Sequence, residues 1–222
     1  MKVALIGLDG SGKSANMNIM KDDKEYSSFN FLWVRWQPSV TMVLYKIKHR
    51  NDVVGVRQDS EAGKKKQVAL NKEYSRKKKI KDKLFKNTVI RQLWMKYAIF
   101  DYRKQFEKKT KEYLIDDSDI IFDRFYLDLF IDQGINFGFS PEKIYDEIQK
   151  NQKYFPVMDK TIYIRVSPEV CYARKDDIPN MDYLIKRYEI YEYIAQKQKW
   201  IVIDGELPLE EVYANIKQNV LK

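Results

Sequence analysis

The chain has 222 residues, of which 44% are hydrophobic and 33% charged, and its formal net charge is +9. This apolar fraction is too high for a disordered chain, and no stretch approaches the run of about 18 apolar residues that crosses a bilayer. The single cysteine and single histidine exclude an internal disulfide and a thiolate metal cluster, and they argue against a histidine-based zinc site. We therefore expect a globular, cytoplasmic protein of the α/β class.

Five short apolar runs predict β-strands, and the segments between them predict helices. The strands are expected at 2–6, 29–34, 120–122, 161–166 and 200–205. Helices are expected at 12–20, over most of 40–118, and onwards from about 140, 168 and 209. Ser140 and Ser167 are predicted N-caps, because each precedes a proline that suits the first helical position.

Strands that alternate with helices indicate a parallel sheet with helices on both faces. We predict one domain over 1–222 whose five strands lie in the order 2-3-1-4-5, with about 50–90 as a basic helical insertion or arm. The segment 64–86 holds eleven basic and two acidic residues, so its net charge of +9 equals that of the whole chain. Such a run attracts phosphate-rich partners such as nucleic acid, although a solvated helix gives the same pattern.

Gly7 to Ser14 read G-L-D-G-S-G-K-S, which fits the phosphate-loop (P-loop) pattern G-x-x-x-x-G-K-[ST] between a strand and a helix. Glycines let successive N–H groups turn toward phosphate oxygens, and the helix N-terminus adds a positive dipole. Lys13 is expected to bridge the β- and γ-phosphates, and Ser14 to bind magnesium. A glycine-rich turn without a ligand is the alternative. The residues expected to hold the nucleotide are Gly7, Gly10, Ser11, Gly12, Lys13, Ser14 and Ala15.

Further charged residues follow two of the predicted strands, at the ligand-binding edge of a parallel sheet. After the third strand, Asp123 can hold magnesium through water and Arg124 can bind a phosphate. After the fourth strand, Arg174 is placed to close over the nucleotide within a lid at about 168–187. The alternatives are an ordinary ion pair at the strand end and a surface arginine beside aspartates.

Together these motifs resemble the thymidylate kinase family of nucleoside monophosphate kinases. The phosphate loop with its acidic Asp9, the D-R-F motif that begins at Asp123, and the P-E-x-x-x-x-R motif that ends at Arg174 each resemble a motif of that family. The resemblance covers almost the whole chain except about 50–90. It implies a P-loop kinase fold that uses ATP and Mg²⁺. It also implies that catalysis uses Lys13, Asp123, Arg124 and Arg174, with the metal at Ser14 and Asp123.

The acceptor side departs from the family's pattern. The family carries Arg-x-Pro after the second strand, whereas here Arg35 is followed by Trp-Gln-Pro. Asp128 and Asp132 stand where the family tends to have a serine and a tyrosine. The residues predicted to contact the acceptor are Asp9, Arg35, Arg103 and Gln133.

Three functions are compatible with these residues. The first is phosphoryl transfer from ATP to a nucleoside monophosphate, with dTMP as the leading candidate, since an acceptor phosphate is already ionised at pH 7. The second uses a hydroxyl acceptor on a nucleoside or sugar, for which Asp9 or Asp128 would be the base. The third is nucleotide-dependent binding of nucleic acid through Lys64–Lys86, which we favour least. A homodimer is compatible with all three.

Overall fold

The computed structural model describes residues 1–39, 74–76, 78–175 and 177–221. Within these residues five strands form one sheet, and every pairing in it is parallel. The strands are β1 (Lys2–Ile6), β2 (Phe29–Trp33), β3 (Asp119–Asp123), β4 (Lys160–Arg165) and β5 (Ile201–Asp204). Their order, β2-β3-β1-β4-β5, confirms the predicted topology.

Helices surround this sheet. They are α1 (Lys13–Asp22), α2 (Thr88–Ile115), α3 (Tyr126–Phe137), α4 (Pro141–Asn151), α5 (Pro168–Arg174), α6 (Met181–Gln198) and α7 (Leu209–Leu221), with 3-10 turns at Lys24–Tyr26 and Gln152–Tyr154. Among the helices that the structure describes, none has the length and apolar character needed to cross a membrane.

The two predicted N-caps behave differently. The Ser140 side chain accepts a hydrogen bond from the backbone N–H of Lys143 (3.4 Å), as a helix cap does. At the other start, α5 begins at Pro168 with Ser167 at the N-cap position, as predicted, but the Ser167 side chain makes no capping hydrogen bond. The Ser167 hydroxyl and backbone N–H both donate to the Glu206 carboxylate, at 2.6 Å and 2.8 Å.

An aromatic cluster in the core fixes the end of β3. Phe122 of β3 packs against Phe106 of α2 and against Phe125, with ring centroids 5.8 Å and 5.5 Å away. Tyr126 of α3 stacks on Phe155 at 4.4 Å. All five side chains are buried. They hold α2 and α3 beside the strand that ends in Asp123, where the candidate site lies.

The predicted helical region at 40–118 is described in part. α2 covers 28 of its residues, 78–84 are also helical, and 40–73 lie outside the described residues. At the end of the basic segment, Phe85 is buried and packs against Trp94 and Phe137, at 5.9 Å and 4.9 Å between ring centroids. This end of the segment is therefore anchored on α2 and α3. A separate arm at about 50–90 stays a prediction.

Candidate active site

The loop between β1 and α1 owes its shape to glycine. Gly10 and Gly12 have φ angles of +92° and +89°, in the left-handed region that side chains disfavour. A Cβ on Gly10 would lie 2.5 Å from the carbonyl oxygen of Cys171, because the loop lies directly on α5. Glycine at this position is therefore needed both for the curl of the loop and for its contact with α5.

Lys13, the first residue of α1, turns back onto this loop. Its Nζ donates to the carbonyl oxygens of Gly7 (2.8 Å) and Leu8 (2.6 Å) and to the hydroxyl of Ser11 (3.2 Å). Lys13 is only 5% exposed. Burial lowers the pKa of Lys13 to about 7, and the positive charge of Arg124 adds to this effect. A bound phosphate would offer the ammonium a charged partner in place of these carbonyls.

The loop opens onto a cleft of about 440 Å³ at the carboxyl ends of the strands. Residues from the loop, from the ends of β2 and β3, and from the end of α5 meet in it. They are Asp9, Gly10, Gly12, Lys13, Ser14, Ala15, Trp33, Arg35, Asp123, Arg124, Arg174 and Lys175. Five cationic side chains face two carboxylates, so this lining favours a polyanionic ligand.

The two predicted magnesium ligands, Ser14 and Asp123, both line this cleft. Burial raises the pKa of Asp123, and the positive charges of Lys13 and Arg124 oppose that rise. The part of the chain that the structure describes has no group of three or more His, Cys, Asp or Glu side chains that would hold a metal by themselves. One hydroxyl and one carboxylate nevertheless fit Mg²⁺, which takes its remaining ligands from water and substrate phosphates.

Arg124 lies at the turn from β3 into α3, where its φ of +70° is unusual for a residue with a side chain. Its guanidinium pairs with Asp9 of the phosphate loop and, at 3.3 Å, with Asp128 in the first turn of α3. Tyr191 of α6 donates to the other oxygen of Asp128. An ion pair at the strand end is thus present, and it lies inside the cleft rather than outside it.

Arg35 reaches the same cleft from the segment after β2. Its Nη2 lies 3.4 Å from Oδ2 of Asp132, and Arg187 of α6 pairs with Oδ1 of the same carboxylate. The Arg187 guanidinium also lies 3.6 Å from the ring centroid of Tyr183, whose hydroxyl donates to Asp9 (2.9 Å). Arg35 and Arg187 are therefore linked to the phosphate loop through one continuous set of contacts.

A buried carboxylate of α2 holds the segment that follows Arg35. Asp101 accepts hydrogen bonds from the indole of Trp36, the backbone N–H of Ser39 and the amide of Gln105, each at 3.0 Å. The Arg35 side chain therefore starts from backbone that is fixed on the sheet side by β2 and on the other side by α2.

The structure places the two remaining acceptor candidates differently. Gln133 is buried in α3, where its Oε1 accepts from the indole N–H of Trp94 (2.8 Å). Arg103 is exposed on α2, and its guanidinium lies 4.4 Å from the ring centroid of Tyr154. Arg103 lines a different cavity, together with Tyr154 and Pro156, and is not among the residues that line the cleft. The prediction that Arg103 contacts the acceptor is therefore corrected.

Arg174 lines the cleft and donates to the carbonyl oxygen of Gly205 (2.9 Å). It also borders a second cavity of about 280 Å³ on the far side of the loop, which is lined by Asn16 and Leu207 among others. Asn16 is 1% exposed, and its Oδ1 finds no hydrogen-bond donor among the described residues. This buried acceptor offers a partner for an N–H group of a ligand.

Several side chains of the site were not predicted from motifs. They are Trp33, Tyr183, Arg187 and Tyr191. The last three recur every four residues along α6, and Asp128 and Asp132 do so along α3, so each set lies on one helix face. This spacing was the available signal, but it does not identify which two faces meet.

Solved structures share this fold. Deoxyadenosine kinase from M. mycoides, solved with bound dATP, is similar over 100% of both chains, with a TM-score of 0.59 and 17% identity. Thymidylate kinase from Ehrlichia chaffeensis is similar over 100% of this chain and 98% of its own, with a TM-score of 0.56 and 16% identity. No protein-family model matches the chain, and no curated protein matches it in sequence. The chain thus has a thymidylate-kinase-like P-loop fold, as predicted.

Proposed function

We propose that this protein transfers a phosphoryl group from ATP to a nucleoside monophosphate, with dTMP as the first acceptor to test. One observation carries the proposal: a single cleft contains both the phosphate loop and Arg35, the arginine that follows β2. A cation at that position suits an acceptor phosphate that meets the γ-phosphate at the mouth of the loop.

Each residue of the cleft then has a role in positioning or charge neutralisation. Lys13 and Arg124 face the transferring phosphoryl group, and Arg174 covers it from α5. Ser14 and Asp123 are the residues that would hold Mg²⁺, and the ion would neutralise charge on the phosphate oxygens. No base is required, because the acceptor phosphate is already ionised near pH 7.

The other parts of the two nucleotides find partners nearby. The cavity beside Asn16 and Leu207 suits the adenine of ATP, since it combines an apolar side chain with a buried hydrogen-bond acceptor. On the acceptor side, Asp9 can accept a hydrogen bond from a sugar hydroxyl. Gln133 can bind a base edge through its amide N–H groups, because its Oε1 is held by Trp94.

A deoxynucleoside hydroxyl is the second candidate acceptor. Three carboxylates, of Asp9, Asp128 and Asp132, lie among the arginines of the site, and such groups serve as a base for a hydroxyl. Asp9 is a weak candidate, because Arg124 and Arg35 outweigh its burial and hold its pKa well below the usual range. Likeness in fold to deoxyadenosine kinase also supports testing this class.

The deciding experiment measures ADP release from ATP and Mg²⁺ with a panel of monophosphates, deoxynucleosides and sugars. We expect dTMP or another deoxynucleoside monophosphate to stimulate release most. Stimulation by a nucleoside or sugar, with none by any monophosphate, would establish the hydroxyl-acceptor reaction instead.

Kinetics of two arginine variants test the acceptor side. Arg35→Ala is expected to raise the KM for the acceptor at least tenfold with little change in the KM for ATP. Arg103→Ala is the matched control, because its guanidinium lies outside the cleft, and it should leave both constants within twofold. Equal effects of the two substitutions would contradict the assignment of Arg35.

A further inference from the structure

Arg35, which lines the cleft, and Arg187 of α6 share one carboxylate. Oδ1 of Asp132 pairs with Arg187, and Oδ2 pairs with Arg35 at 3.4 Å. The three side chains come from α6, from α3 and from the segment after β2. The Arg187 side chain is 12% exposed, that of Asp132 26% and that of Arg35 32%. Arg35 lines the cleft, and Asp132 and Arg187 lie behind it in a chain of ion pairs that begins at Arg35.

The neighbouring carboxylates are already engaged. Asp9 pairs with Arg124 and accepts from Tyr183, and Asp128 pairs with Arg124 and accepts from Tyr191. Arg35 and Arg187 therefore depend on Asp132 as the one carboxylate within ion-pair distance of either in the described residues. Two guanidinium groups share Asp132, whereas Arg124 alone is shared by Asp9 and Asp128. The six charges of this group therefore balance overall, and the positive side of the group lies at Asp132.

The geometry around Asp132 matches that of a bound phosphate. Each of its two oxygens accepts from a different guanidinium, as two oxygens of a phosphate monoester do between paired arginines. A monoester dianion carries twice the charge of this carboxylate and has three such oxygens, so it is the stronger partner for the pair. Arg187 is prepared for this role, because the ring of Tyr183 supports its guanidinium from one side.

We propose that Arg187 is a second arginine for the acceptor's phosphate beside Arg35, and that Asp132 holds both arginines in place until the acceptor binds. The inference rests on the proposed monophosphate acceptor and adds to it a positioning residue and a phosphate contact from α6. The predicted lid at 168–187 ends within α6, at Arg187 itself, so a phosphate bound to Arg187 would link occupancy of the acceptor site to the position of the lid. A purely structural ion pair between α3 and α6 is the competing explanation.

Binding of dTMP and of thymidine, measured separately by calorimetry, tells these explanations apart, since only dTMP carries the phosphate. Arg187→Ala is expected to weaken dTMP binding at least tenfold and to leave thymidine binding within twofold. The dTMP affinity of Arg187→Lys should lie between those of wild type and Arg187→Ala, because lysine keeps the positive charge but cannot donate two parallel hydrogen bonds as a guanidinium does. Arg165→Ala removes an exposed arginine that pairs with Glu192 of α6 at 3.8 Å outside the cleft, and it is the matched control.

Asp132→Asn supplies the opposite test. Freed from the carboxylate, the arginines should bind dTMP several-fold more tightly, and this gain should disappear in the Asp132→Asn, Arg187→Ala double variant. Thermal unfolding of every variant checks that it is folded. A structural pair predicts a lower Tm for Arg187→Ala, with dTMP and thymidine affected equally, and that result would overturn the inference.

The failure of this inference is distinguishable from that of the proposed function. If monophosphates stimulate ADP release but Arg187→Ala and Arg187→Lys bind dTMP like wild type, the function stands and the role of Arg187 is wrong. If the wild-type protein binds no monophosphate of the panel, both are overturned.

Discussion

At the scale of single residues, the Lys13 ammonium is the most constrained charge in the cleft. It is buried and bound to two carbonyl oxygens of its own loop. Carbonyl dipoles compensate a buried charge less well than an anion does, which is consistent with the lowered pKa of Lys13. In the unliganded loop the charge of Lys13 is therefore incompletely compensated, and a bound phosphate would stabilise it further.

Lys13→Ala should abolish turnover and leave the fold intact, because in the proposed reaction the side chain supplies charge to the transferring phosphate, and it contributes little to the core. ADP release at saturating ATP measures the first expectation, and circular dichroism the second. Lys21→Ala, on the exposed side of the same helix, is the control. More than a tenth of the wild-type rate in Lys13→Ala would count against the role given to Lys13.

The lowered pKa of Lys13 predicts proton uptake when MgATP binds. Above pH 7 the free protein holds this lysine largely neutral, and bound phosphates should raise its pKa again, so binding at pH 8 takes up a proton. Uptake through Lys13 should fade below about pH 6, where the lysine is already charged. Calorimetry in buffers of different ionisation enthalpy measures the uptake. Equal uptake by Lys13→Met at pH 8 would show that another group is responsible.

Before any ligand binds, the same pKa has a consequence for stability. Because the unfolded chain holds the lysine proton up to its ordinary pKa, the unliganded protein should become more stable as the pH rises from about 7 toward 10. This contribution is absent below pH 7, where both states are protonated, and it should be lost in Lys13→Met.

At the scale of elements, the close approach of α3 to α4 depends on Gly134. A Cβ there would lie 2.3 Å from Cγ1 of Ile144, so Gly134→Ala should cost about 1–3 kcal/mol of unfolding free energy through overpacking. Ile144→Ala removes the obstructing atoms, so the double variant should be less destabilised than the sum of the single variants. Denaturant unfolding measures all three.

Gly138→Ala is the control for this comparison of the two single variants with the double variant. Its φ of +68° predicts a loss of about 1 kcal/mol from backbone strain, with no side chain within 4 Å of the added methyl group. Its effect should therefore add to that of Ile144→Ala. If the losses of unfolding free energy caused by Gly134→Ala and Ile144→Ala were also strictly additive, the contact with Ile144 would not be the cause of the Gly134→Ala effect. α3 and α4 would then move apart at little cost.

The elements themselves were predictable from local pattern, whereas their contacts were not. Apolar runs located the strands. The phosphate loop and Asp123-Arg124 could then be placed at the sheet edge, because they lie at the carboxyl ends of β1 and β3. The pairing of Asp132 with Arg187 joins positions 55 residues apart, and its prediction would require the packing of α3 on α6. Arg103 is the opposite case. Its spacing from Asp123 in the sequence predicted a place at the site, but on α2 its side chain contacts Tyr154 outside the cleft.

At the scale of the whole molecule, the net charge of +9 equals that of the segment 64–86, and the described end of this segment lies near the cleft. Tyr74 packs against Tyr183 with ring centroids 6.1 Å apart, and Lys78 lies 3.7 Å from Asp182. A cationic surface beside the site can attract phosphate-rich molecules without contacting them in the bound state.

Lys79, Lys83 and Lys86 are exposed. Neutralising these three lysines tests whether the basic segment serves a kinase or binds nucleic acid. With all three changed to glutamine, the kcat and the KM for each nucleotide should stay within twofold at 150 mM salt, because screening over about 8 Å removes long-range attraction. At 20 mM salt the variant should associate with ATP more slowly than wild type in stopped-flow fluorescence. Wild-type affinity for single-stranded DNA or RNA that falls steeply with salt, and that is lost in this variant, would instead make nucleic acid a partner of the segment.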